Sequence, residues 1–297
     1  MTDKAPNNPT PSALPFCWAN GSIHPVAEPV VSVLDRGLLY GDGLFDTLRI
    51  WKSQPLFWED HWRRLQRGMK SMALPIREGS DAMHHHLQEL LDRNAVRDAI
   101  ARIQVTRGPG GRGYSPPSHP DPTLIITMHA IDNDFPIEPL SWSLNVASCR
   151  TGSGLPHQTV KTCNKWLQIA ARMEATQAGF QDALILNEKS HVTESSCANL
   201  FIIQGQKILT PPLEDGLLEG TTRGLVMEMA KELGITCCER SCKLAELQES
   251  EGLFLTLSTH GIIHIKALEE HRWHEPHALI QTLYQSYLRK VRSHHSN

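Results

Sequence analysis

The sequence predicts an α/β fold in two domains, a small N-terminal α+β domain over residues 14–130 and a larger C-terminal α/β domain over residues 141–297. Three observations predict it. The chain has 297 residues, 40% of them apolar, which is enough to fill two modest cores. Before residue 130 the hydrophobic spacing passes from strand-like to helical and back to strand-like. The acidic, proline-bearing stretch 131–140 then reads as a linker, after which Trp142, Leu144 and Val146 start a new alternation.

Residues 1–13 are polar and proline-rich and read as a flexible tail. Residues 59–72 predict a helix with Trp62, Leu65, Met69 and Met72 on one stripe; Arg64 lies off that stripe, and periodicity leaves it in solvent. Ser80 is placed to cap a second helix that carries Leu87, Leu90 and Leu91. Residues 101–106 alternate as a strand, and 123–128 form a short apolar run suited to a buried strand. Between them, the glycine- and proline-rich segment 108–122 is too long for a tight hairpin, and loops of that size are often functional. In the second domain a helix over 165–178 is stopped by Gly179, followed by a strand over 183–186. Asn199-Leu200-Phe201-Ile202-Ile203 reads as a buried strand entering a hairpin through Gly205. A helix over 221–233 with Leu225, Val226, Met229 and Leu233 on one side is stopped by Gly234, and a strand over 253–257 runs into the turn Ser258-Thr259-His260-Gly261.

Composition narrows the function. Lys+Arg 29 against Asp+Glu 32 gives a net charge of −3 with no long run of one sign, which argues against a nucleic-acid or membrane-surface partner. The N-terminal stretch lacks the apolar segment of a signal peptide and no apolar run is long enough to span a bilayer, so a cytoplasmic location is expected. Seven cysteines, an odd number, are then expected as reduced thiols. The cluster Cys237, Cys238 and Cys242 lacks paired zinc-ligand spacing, so no metal is expected. Consecutive His84, His85 and His86 point in different directions on a helix and read as solvated surface.

Four segments carry residues suited to chemistry. Lys161, in Val160-Lys161-Thr162-Cys163-Asn164, could hold an aldehyde cofactor as a Schiff base and then move a substrate proton. Glu194, 33 residues on and beyond a predicted helix, could face a pyridine nitrogen and keep it protonated. Taken singly, the lysine would read as solvated and the glutamate as an exposed strand end. Gly216-Leu217-Leu218-Glu219-Gly220-Thr221-Thr222-Arg223 is a glycine-bearing loop feeding a helix, whose free N–H groups and dipole suit a phosphate; plain capping by a threonine is the alternative. To this third segment the turn at Ser258 and Thr259 adds a second set of donors, with an ordinary turn as the alternative. Lastly, Thr106-Arg107-Gly108-Pro109-Gly110-Gly111-Arg112-Gly113-Tyr114-Ser115 places two arginines on a loop where they could clamp a carboxylate, against a mobile surface loop or an RNA contact that the charge balance disfavours.

In this order and spacing, over about residues 16–267, the four segments resemble the fold-type IV pyridoxal-phosphate enzymes: branched-chain aminotransferases, D-amino-acid aminotransferases and aminodeoxychorismate lyases. Asp35-Arg36-Gly37 and the run from Tyr40 to Arg49 resemble that family's opening strands, and His61-Trp62-Arg63-Arg64-Leu65 resembles the helix whose arginine, here Arg64, grips the cofactor phosphate. The resemblance implies two domains with pyridoxal 5'-phosphate at their interface. It implies Lys161 as the Schiff-base lysine, Glu194 at the pyridine nitrogen, and Arg64, Thr221, Thr222, Ser258 and Thr259 around the phosphate. Phe45, Thr47, Arg112, Tyr114 and His260 would meet a small substrate carrying an amine and carboxylates, and the Arg112 loop would reach the neighbouring site of a homodimer. The Arg112 loop and the Phe45-Asp46-Thr47-Leu48-Arg49 run are most similar to aminodeoxychorismate lyase, which makes 4-aminobenzoate and pyruvate for folate synthesis. An aminotransferase acting on D-amino or branched-chain amino acids is the alternative. Two departures bear on substrate more than on cofactor. The turn at Ser258 lacks the lyases' asparagine-alanine pair, and Lys165 stands where an arginine or a bulky apolar residue is usual.

Overall fold

The computed structural model describes residues 12–131, 134–154 and 156–294, so residues 1–11 of the expected tail lie outside the described residues. Among the described residues two compact units emerge, one made of residues 12–134 together with Val160–Asn164, the other of Phe135–Thr159 and residues 165–294.

The first unit contains β1 (Phe16–Ala19), β2 (Ser22–Pro25), α1 (Arg36–Tyr40), β3 (Gly43–Trp51), β4 (Gln54–Pro55), α2 (Trp58–Ser71), α3 (Ser80–Asn94), β5 (Ala99–Thr106) and β6 (Thr123–Ala130). Its sheet has the order β2-β1-β6-β5-β3-β4, and every neighbouring pair is antiparallel. Alternation decides the faces. Leu44 and Leu48 of β3 and Ala101, Ile103 and Val105 of β5 join one core with Trp62, Leu65 and Met69 of α2 and Leu87, Leu90 and Leu91 of α3. Each large side chain buried there contributes roughly 1.5–3 kcal/mol.

Three local expectations change. Asp35-Arg36-Gly37 enters a helix rather than a strand: Asp35 is the N-cap of α1, its carboxylate accepting from the Gly37 N–H at 2.7 Å. Ser80 is the first residue of α3 rather than its cap; Gly79 occupies the cap, and the Ser80 hydroxyl accepts from the Trp58 indole N–H at 2.9 Å. A nearly buried indole needs an acceptor, and that need takes the hydroxyl away from the helix end. His86, expected as solvated surface, stacks on Trp18 with ring centroids 4.4 Å apart.

The segment holding Lys161 extends this unit's sheet. The Phe45 N–H donates to the Lys161 carbonyl and the Cys163 N–H to the Gly43 carbonyl, both at 2.9 Å, while Val160 fills part of the core. Lys161, placed by sequence in the second domain, therefore belongs by its contacts to the first unit.

The second unit contains β7 (Leu140–Thr151), α4 (Trp166–Gln177), β8 (Asp182–Asn187), β9 (Val192–Ser195), β10 (Asn199–Gln204), β11 (Lys207–Thr210), α5 (Thr221–Glu232), β12 (Thr236–Glu239), α6 (Leu244–Gln248), β13 (Gly252–Leu257), β14 (Gly261–Leu268), β15 (His271–Arg272) and α7 (Ala278–His294). Strand order is β12-β11-β10-β13-β14-β7-β8-β9, and β9 returns to pair with β10 through Glu194 and Asn199, closing six strands into a ring. Leu144, Leu184, Leu200, Ile202, Leu253, Leu255 and Ile263 pack in its core. Leu233, expected on the buried stripe of α5, is 38% exposed because it is the residue that caps the helix end. Among the described residues, no helix is long and apolar enough to cross a membrane.

Candidate active site

On β3, Leu44 and Leu48 point into the core, which turns Phe45 and Thr47 to the opposite face. The paired backbone beside Phe45 presents Lys161, whose Nζ lies 5.0 Å from the Phe45 ring centroid. The Arg102 guanidinium lies 3.5 Å from the same centroid. Arg102 is the cross-strand partner of Thr47 and Gln104 that of Phe45, so all four share a face. Arg102 donates twice to the Gln104 side-chain oxygen, at 3.1 and 3.0 Å, and burial pulls its pKa below the usual value. The result is one aromatic ring attended by two basic side chains. Sequence reasoning missed Arg102 and Gln104, although the alternation of β5 already sets them opposite Ala101, Ile103 and Val105.

Asp46 has the core-facing parity of Leu44 and Leu48 and is 1% exposed. Arg64 grips it with two parallel bonds, Nε to Oδ2 at 2.8 Å and Nη2 to Oδ1 at 2.7 Å; His61 Nδ1 and the Thr47 N–H each lie 2.7 Å from Oδ1. Burial works to raise the Asp46 carboxyl, but the charges of Arg64 and His61 outweigh it and hold the group well below the carboxylate range. Arg64 is consequently buried, against the solvent position its helical spacing predicted. Its partner sits on a different element, which periodicity along one helix cannot register.

The loop between β5 and β6 separates its two arginines. Arg107 is buried and donates to Asp42 at 2.8 Å and to the carbonyls of Ala73 and Met72, so it holds structure and is not available as half of a clamp. Arg112 and Tyr114 are exposed, and the Tyr114 ring meets Tyr40 edge-on at 5.6 Å.

In the second unit Glu194 is fixed where the ring of strands closes. The Asn199 side-chain N–H donates to its Oε2 at 3.0 Å and the Leu218 N–H to the same oxygen at 3.2 Å, while Asn199 also donates to the Leu218 carbonyl at 2.8 Å. Two N–H donors on one carboxylate oxygen fix its position. The approach of the loop requires its glycines. A Cβ on Gly216 would stand 2.1 Å from the Gly152 carbonyl oxygen, and one on Gly220 would stand 2.0 Å from the Asn199 side-chain oxygen. Gly220, not a threonine, occupies the N-cap of α5, and no side chain caps that end. The threonine-capping alternative therefore falls. Thr221 and Thr222 lie in the first turn, with the Thr221 hydroxyl 3.3 Å from that of Ser258; Thr259 bonds to His260 Nδ1 at 2.7 Å. His260 stands edge-on to Trp142 with centroids 6.3 Å apart.

The donor chemistry suits a phosphorylated pyridine aldehyde. An uncapped helix end with hydroxyls and no side chain at residue 220 fits a phosphate, a carboxylate held in place by two N–H donors fits a pyridinium, and a lysine amine fits an aldehyde. Among the described residues, no group of three or more His, Cys, Asp or Glu is placed to hold a metal ion.

These features define an enzyme class, and the chain belongs to it: the family model of amino-transferase class IV matches residues 43–268. A protein of Methanocaldococcus jannaschii that carries the name of a branched-chain-amino-acid aminotransferase is 32% identical over 244 residues, covering 80% of this chain and 83% of its own. The crystal structure of 4-amino-4-deoxychorismate lyase from Pseudomonas aeruginosa is 31% identical, with a TM-score of 0.77, covering 91% of this chain and 97% of that one. The branched-chain amino acid aminotransferase of Escherichia coli shares the fold at a TM-score of 0.86 and 22% identity, covering 93% and 94%.

Proposed function

We propose that the protein is a pyridoxal 5'-phosphate enzyme of this family that converts 4-amino-4-deoxychorismate to 4-aminobenzoate and pyruvate. The observation that carries the reading is the face around Lys161. It presents Phe45, Thr47, Arg102 and Gln104, an aromatic and cationic surface suited to a flat ring bearing carboxylates, where a branched aliphatic side chain would call for apolar walls.

When bound, the cofactor supplies an electron sink for the carbon that loses its proton. Glu194, held by Asn199 and Leu218, would keep the pyridine nitrogen protonated. Arg64, oriented by Asp46, would secure the phosphate together with Thr222 and the Thr221, Ser258 and Thr259 hydroxyls. Lys161 would carry the cofactor and remove the proton from the substrate carbon bearing the amine. Departure of the enolpyruvyl oxygen as the enolate of pyruvate would then aromatise the ring, and the enolate would take up on carbon one proton, equal to the one that Lys161 removes, to become pyruvate. Arg102 and Arg112 would each pair with a substrate carboxylate, and Tyr114 and His260 would border the substrate. A homodimer is part of this reading: Val33, Leu34, Leu38 and Leu39 are exposed beside the Arg112 loop, an apolar surface suited to a second copy of the chain.

The relative from Methanocaldococcus jannaschii favours a second reading, amino-group transfer. One experiment separates the two. Purified enzyme is incubated with 4-amino-4-deoxychorismate alone, and separately with D-alanine or leucine plus 2-oxoglutarate. 4-Aminobenzoate formed without a keto acid is the expected outcome; turnover only when the acceptor is present would overturn the lyase reading.

A further inference from the structure

The segment between β5 and β6 has no helix or strand of its own, yet its two feet and its middle are tied. The ties come from residues 35–42. Asp35, fully buried, accepts from the Thr106 hydroxyl at 2.8 Å and the Thr123 hydroxyl at 2.7 Å, so one carboxylate holds both feet of the loop. Arg36, 3% exposed, reaches the middle, donating from Nη1 to the Gly113 carbonyl at 2.9 Å and the Ser115 carbonyl at 3.4 Å, and from Nη2 to the Tyr114 carbonyl at 3.0 Å. Its Nε bonds to Asp42 Oδ2 at 2.8 Å, the same oxygen that Arg107 uses at 2.8 Å. The Tyr40 hydroxyl accepts the Gly113 N–H at 3.1 Å.

This arrangement also accounts for two glycines of the motif. Gly108 has φ +79 and a Cβ there would fall 1.8 Å from the Asp121 carbonyl oxygen; a Cβ on Gly110 would fall 2.8 Å from Arg36 Cδ. Burial works to raise the Asp42 carboxyl, but the bonds from Arg107 and Arg36 hold it below its usual value, so the anchor for both arginines stays charged.

We infer that Arg36 is a positioning residue for the substrate: by fixing the carbonyls of Gly113, Tyr114 and Ser115, it presets the adjoining Arg112 to receive a substrate carboxylate. The inference rests on the reading of Arg112 as a carboxylate-binding residue. A guanidinium is needed because its planar fork serves Asp42 and three carbonyls at once, which an ammonium cannot do.

The test is Arg36→Lys in the full-length holoenzyme, which keeps a positive charge beside Asp42 and loses the fork. Limited trypsin digestion should cut after Arg112 about tenfold faster, with cleavage after Arg63 in α2 unchanged, because only the loop is released. KM for 4-amino-4-deoxychorismate should rise about tenfold with kcat within about twofold, and in an Arg112→Ala background the same change should move KM less than about twofold. Unchanged cleavage after Arg112, or an equal rise of KM in both backgrounds, overturns the inference. Arg112→Ala leaving KM unaltered would instead sink the carboxylate reading, and absent turnover would sink the proposed activity; in both cases the cleavage rates still decide whether Arg36 holds the loop. Should Arg36→Lys fail to fold, Tyr40→Phe, which removes the acceptor of the Gly113 N–H, gives the same comparison with a smaller acceleration.

Discussion

His264 on β14 is 1% exposed, its Nδ1 3.2 Å from the Ser141 hydroxyl and its Nε2 without a hydrogen-bond partner among the described residues. Burial, reinforced by the charge of Lys266, pushes its pKa from 6.5 down to about 4. In the unfolded chain the same imidazole takes up a proton near its ordinary value, while the folded protein keeps it neutral. Stability attributable to His264 is therefore fully present above pH 6.5, falls as the pH drops, and levels off near the folded value of about 4. At about 1.4 kcal/mol for each pH unit, that gap comes to about 3 kcal/mol. His264→Gln can still bond to Ser141 but cannot titrate. Thermal unfolding of both proteins from pH 7.5 to 4 should show the wild type losing roughly 5 °C more than the variant across the window. Parallel melting curves would refute the reasoning, since every other titrating group is common to the two proteins.

Three further outcomes follow from the site. Lys161→Ala should lose the visible absorbance of lysine-bound cofactor and all turnover while remaining folded; borohydride reduction and peptide mapping that put the label on Lys165 would move the assignment. Glu194→Gln should retain cofactor yet lose most activity, about a hundredfold or more, because an amide cannot hold a proton on the pyridine nitrogen; full activity would remove Glu194 from the mechanism. Arg112→Ala and Lys161→Ala subunits, each nearly inactive, should regain activity when mixed if the loop serves the neighbouring subunit; no recovery after demonstrated subunit exchange would confine Arg112 to its own chain.

The sequence was most legible where one element explains itself. The stripe of Trp62, Leu65 and Met69, the alternation around Leu44 and Leu48, and the stops at Gly179 and Gly234 all follow from local spacing and backbone freedom. Sequence reasoning went astray where a side chain answers to a distant partner. Arg64 goes inward because Asp46 is there, Ser80 abandons its helix end for the Trp58 indole, and Arg107 serves Asp42 rather than a ligand. Arg102 is an intermediate case: its side of β5 was readable, but its place at the Phe45 ring needed the register with β3. For Lys161 the motif was legible and the address was not, because an irregular segment of a few residues can bond to backbone far from its neighbours in the chain.

That displaced segment has a consequence for how the protein can be made. Val160 fills core space against Gly68 of α2, where an added Cβ would come within 3.2 Å of a Val160 methyl, and Thr162 bridges Leu44. A fragment ending at Asp134 would lack both and leave a hydrophobic gap in the unit that carries Arg64 and Arg112. During translation the N-terminal portion thus stays incomplete until Asn164 has emerged from the ribosome, and its last piece is the one bearing Lys161. A genetic split at Asp134, natural as that boundary looks, would separate the small sheet from the lysine it is built to hold.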